Sequence, residues 1–98
     1  MTFAEFERSL KTNRPPRGLA PALAALWWAK KDDWAKAHTI VMNEDGRAAA
    51  WVHAWLHRVE GDTGNAAYWY RQAKKPVMSG ALDPEWQAIA TALLGEAD

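Results

Sequence analysis

The chain has 98 residues, no cysteine, and twelve basic against twelve acidic side chains, so its formal charge with neutral histidines is zero. That length suits one domain able to bury a core without disulfides or thiolate-held metal, and the even charge argues against a protein that grips nucleic acid. No apolar run approaches the roughly 20 residues of a membrane span, and no charged-then-apolar leader opens the chain, which predicts a soluble, cytoplasmic protein of bacterial type.

Thr2 and Glu5 have capping-box spacing, and Phe3, Phe6 and Leu10 follow at helical intervals. They predict a first helix that runs to about Lys11. The paired prolines Pro15 and Pro16, with Gly18 beyond them, break it. Pro21 suits the first turn of a second helix over residues 20–31, with Leu23, Leu26, Trp27 and Lys30 along one stripe. Asp33 caps a third helix that turns Ala37, Ile40 and Val41 inward. Asn43 to Gly46 stops it and offers Asp45 as the next cap. A fourth helix follows over residues 46–59. Gly61 and Asp62 make a turn into a fifth over residues 63–75, which Pro76 ends. Asp83, Pro84 and Glu85 form a cap, a first-turn proline and a first-turn acid for a sixth helix. Trp86, Ile89, Ala90, Leu93 and Leu94 give that helix its apolar face, and Gly95 closes it.

One device is written twice. A single offset along the chain carries Asp33 onto Asp62, Ala37 onto Ala66, and Val41 onto Tyr70. Each copy reads as a helix, a tight turn with an aspartate cap, a small residue and then a bulky one. Seven tryptophans with abundant alanine fit a small helical core, because alanine lets helices approach while indole fills area. Few β-branched residues are left for a sheet. The expectation is an all-α domain over residues 1–98, with six helices in three antiparallel hairpins.

Ala66, Tyr70 and Ala73 followed by Pro76 resemble the second-helix signature of tetratricopeptide and Sel1-like repeats. Ala25 and Ala37, like Ala54 and Ala66, are similar to the small-residue pair through which the two helices of such a repeat touch. Trp28 stands where that family often places an aromatic. The resemblance covers about residues 20–76 and implies right-handed stacking of hairpins, with protein or peptide binding on their concave side. The segment from Trp51 to Arg71 also resembles a family of short, uncharacterised bacterial proteins, a likeness that implies no activity.

On the fourth helix, Ala48, Trp51, Val52, Trp55 and Val59 share one face. His53, His57 and Glu60 fall on the other side. Two histidines one turn apart can ligate one metal, with Glu60 adding oxygen and His38 a third imidazole. Ala54 follows His53, so the glutamate of a His-Glu-x-x-His hydrolase is absent. The plainer readings place His53 and His57 along a polar groove, or in hydrogen bonds to neighbouring helices, and bond His38 to a backbone carbonyl. Tyr68 and Arg71 suit a recognition surface that Arg58 and Glu60 extend. For the arginines the alternative is an Arg–Glu ion pair between helices. Asn65 reads as a turn residue, and most tryptophans as core, with Trp34 half exposed.

Arg14 to Arg17 reads as a stiff connector, and Lys74 and Lys75 as cations at a helix C-terminus. Ser9 and Ser79 lack the glycine framework of a nucleophile. The sequence therefore predicts no catalytic residue and no cofactor. It predicts a non-catalytic interaction module whose groove, lined by His53, His57, Arg58, Glu60, Tyr68 and Arg71, takes a protein or peptide, with self-association as a further expectation. The alternative is a small-ligand or metal-binding protein, or a hydrolase, built around His38, His53, His57, Glu60 and Tyr68. RNA binding is a third and weaker reading.

Overall fold

The computed structural model describes residues 1–95 and contains α1 (Phe3–Ser9), α2 (Pro21–Lys30), α3 (Trp34–Met42), α4 (Arg47–Val59), α5 (Thr63–Ala73) and α6 (Leu82–Gly95). Among the described residues there is no strand, and no helix is long and apolar enough to cross a membrane. Thr2 caps α1 as its spacing predicts: its backbone N–H donates to Glu5 Oε1 at 2.8 Å, and the Glu5 N–H donates to Thr2 Oγ1 at 3.1 Å.

The written repeat is a repeat of atoms. Between α2 and α3, Asp32 takes φ +64° and the Asp33 N–H donates to the Trp28 carbonyl at 2.9 Å. Between α4 and α5, Gly61 takes φ +84° and the Asp62 N–H donates to the His57 carbonyl at 2.8 Å. Asp33 then accepts from the Lys36 N–H and Asp62 from the Asn65 N–H, each at 3.1 Å. Both turns thus close one helix and open the next with the same left-handed residue and the same aspartate cap. The alanines of each unit, Ala25 with Ala37 and Ala54 with Ala66, are buried, and α2 packs on α3 as α4 does on α5.

Several helix ends differ from the sequence reading. α1 stops at Ser9 and not near Lys11. α5 ends at Ala73 because Lys74 turns left-handed at φ +58°, before Pro76 can act. Gly46, at φ +101°, occupies the N-cap of α4 without any side-chain cap, in place of Asp45. That backbone conformation favours glycine over aspartate. α6 begins at Leu82, which puts Asp83 inside the first turn and not at the cap.

α4 is the central helix: α2, α3, α5 and α6 all pack against it. The sixth helix packs against α4 and α2, and α1 packs against α6. Indole N–H groups pin this arrangement. Trp86 donates to the Leu26 carbonyl at 3.0 Å, Trp55 to the Leu82 carbonyl at 3.0 Å, and Trp34 to the Leu56 carbonyl at 2.8 Å. Each ring, buried for Trp55 and Trp86 and half-buried for Trp34, therefore fills volume and also satisfies its one donor.

Candidate metal centre

Because α2, α3, α5 and α6 all pack against α4, its histidine side is not a groove. His53 is 4 % exposed and His57 6 % exposed, which overturns the expectation that both line an open surface. They sit among indoles instead. The Trp69 ring stacks on His53 at 3.9 Å between centroids, His53 stacks on His57 at 4.9 Å, and Trp34 stacks on His38 at 4.6 Å. Val59, assigned to the apolar face, is 41 % exposed at the end of the helix.

His38 comes from α3, and His53 and His57 from successive turns of α4. The offered nitrogens of the three rings lie within 4.8 Å of one another. His38 Nε2 and His53 Nε2 are 3.1 Å apart, a hydrogen bond that requires one ring to hold its proton at Nε2 and the other at Nδ1. Around a tetrahedral ion with bonds of 2.0–2.1 Å, nitrogens stand roughly 3.3 Å apart. The two Nε2 atoms are already close to that separation, and ligation by all three rings requires the His57 nitrogen, within 4.8 Å of the other two, to draw nearer.

Glu60, the C-terminal cap residue of α4, meets His57 Nδ1 at 2.5 Å. A carboxylate on Nδ1 is the outer arrangement typical of a histidine that ligates a metal through Nε2. Asp62 Oδ2 is engaged by the Asn65 side chain at 3.0 Å, so this aspartate serves the turn. Burial, followed by the neighbouring His38 and His57, pulls the His53 pKa down to about 4. Burial and His57 also lower that of His38, against a smaller opposing pull from Glu60. These two imidazoles are therefore neutral at pH 7, the state in which a ring nitrogen can ligate.

The remaining predicted residues separate. Arg58 leaves the histidine side and takes the ion-pair alternative, between α4 and Glu85 of α6. Arg58 Nη1 donates to Glu85 Oε1, Nη2 donates to the Gly80 carbonyl at 2.5 Å, and the Tyr70 hydroxyl donates to Glu85 Oε2. Tyr70 is pushed well above its ordinary pKa by burial and by the adjacent carboxylate. Tyr68 and Arg71 stay exposed on α5, with the guanidinium 6.0 Å from the Tyr68 ring.

Two contributors escaped the sequence reading. Trp34 precedes His38 by one helical turn, a spacing that puts them on one face and was available as a signal. Glu85 gave none, since a first-turn acid is already explained by the helix dipole. No family model, curated protein or solved structure matches the chain.

Proposed function

We propose that this protein binds a divalent transition-metal ion through His38, His53 and His57. The observation that carries the reading is the convergence of three imidazole nitrogens, from two helices, within 4.8 Å in a largely buried pocket of rings. Histidine is the ordinary nitrogen ligand for zinc, copper and nickel, and a three-histidine set leaves a fourth coordination position for water or another ligand. The neutral His38 and His53 rings are in the state that ligates, and the Glu60 carboxylate on His57 fits the outer partner of a metal-bound ring.

Titration of the purified protein with Zn²⁺ and Co²⁺ tests the reading. One equivalent should bind, with the visible absorption of tetrahedral cobalt. His53→Gln should abolish that spectrum, while Glu60→Gln, which touches only the ligand's far nitrogen, should weaken affinity about 10–100-fold. Binding that survives His53→Gln unchanged, or no stoichiometric binding at all, overturns it.

A second reading rests on Tyr68 and Arg71, which stand together at the surface and offer a ring and a guanidinium to a protein or peptide partner. The double substitution Tyr68→Ala with Arg71→Ala should then remove a captured partner without disturbing the cobalt spectrum.

A further inference from the structure

Away from the histidines, the connection between α5 and α6 runs alongside α4, from Lys75 at Trp51 to Gly80 at Arg58, and a cavity of about 280 Å³ lies beneath it. Its walls are apolar: Trp51 from α4, Pro76 and Met78 from the connection, and Pro84 and Ala88 from α6. Lys75 lies at its edge, with Nζ 4.2 Å from the centre of the Trp51 ring. A second depression continues along the same tryptophan, lined by Arg47, Lys74 and Lys75 with Ala48 and Leu93. Three cations therefore gather along one side of a half-buried indole. Among the described residues none of them makes an ion pair, in a chain whose formal charge is zero. The one carboxylate in the wall, Glu85, has both oxygens occupied by Arg58 and Tyr70, so its charge is already answered from the far side.

We infer that this slot binds a small amphipathic carboxylate, an aromatic or short-chain organic acid. The hydrocarbon part lies against Trp51, Met78 and Ala88, and the carboxylate meets Lys75, with Arg47 and Lys74 adding to the positive field. Small-ligand sites are typically apolar clefts of roughly 300–1,000 Å³ with a few placed polar groups. At about 280 Å³ this cavity suits a small acid and not a long chain. Lys75 is held over the indole before any ligand arrives, so little side-chain order remains to be gained on binding. Lys74 and Lys75 explain themselves as cations at the end of α5, but that role gives no reason for an apolar slot to open between them and α6.

Calorimetry with 1-naphthoate and octanoate, against octylamine and the neutral octanol, tests the inference on the full chain. Both acids should bind saturably at one site, and the amine should not. Lys75→Gln, at an exposed position, should weaken the acids about tenfold, the scale of one lost charge-assisted contact. Ala88→Leu should block them by filling the slot while the helical circular dichroism is retained. Acid binding should be the same with metal added or chelated, which separates this site from the metal centre. Equal binding of acid and amine, no saturable acid binding, or acid affinity that Lys75→Gln leaves unchanged overturns the inference.

Discussion

His53 loses its water and most of its basicity when the chain folds. In solvent an imidazole takes up its proton near pH 6.5. In the fold, burial first and then His38 and His57 bring that point down to about 4. Between those two values the unfolded chain holds a proton that the native protein refuses, so the native state is favoured less as pH falls. Stability of the metal-free protein should be complete above about pH 6.5 and should decline toward pH 4, by on the order of 2–3 kcal/mol from this residue. Below pH 4 both states carry the proton and the loss levels off. Urea denaturation at pH 7, 5.5 and 4.5 measures the slope. His53→Gln should flatten it over that window, and an equal slope in the variant would place the effect on other groups. His38, lowered for the same reason, works in the same direction with a smaller expected share, since it is less buried.

At the scale of the helix pair, the two turns form a matched experiment. Gly61 and Asp32 hold the same left-handed position in the two copies, at φ +84° and φ +64°. No atom lies within 4 Å of the place a Cβ would occupy on Gly61, so its replacement meets only backbone strain. Gly61→Ala should therefore cost about 1–2 kcal/mol, and Asp32→Gly should cost nothing or recover a few tenths. Thermal melts of the two variants decide it, and equal shifts of the same sign would break the equivalence of the turns. This repeat was legible in the sequence because caps and turns are local: Asp33 and Asp62 fix their own neighbourhoods. The face of α4 was not. Helical periodicity sorts residues into two sides, one toward a neighbour and one toward water. On a helix packed by four others the polar side can be covered as fully as the apolar one, and His53 and His57, which periodicity places outward, are among the most enclosed polar groups of the described residues. Lys74 defeats the reading for another reason, since a lysine at φ +58° is not foreshadowed by its type.

Across the whole molecule, α6 packs on one helix of each unit, α2 and α4, and Glu85 is where it takes hold. One buried carboxylate receives Arg58 of α4 on one oxygen and Tyr70 of α5 on the other, while the same guanidinium also reaches the Gly80 carbonyl. Burial works against the charge on Arg58, but the hydrogen bonds and charge of Glu85 prevail and hold it more firmly protonated than in water. Such a group stabilises the fold only as a set, because each charge is tolerable while the other answers it. Glu85→Ala leaves a mostly buried guanidinium without its carboxylate and should cost about 3–5 kcal/mol, whereas Tyr70→Phe removes one neutral donor and should cost about 1–2 kcal/mol. The paired substitution Arg58→Met with Glu85→Leu removes both charges and puts hydrocarbon in their place. It should cost less than Glu85→Ala alone, which denaturant titration of the three variants will show. If the pair is as damaging as the single change, the ion pair's geometry, and not the isolation of one charge, is what locks α6 across α4.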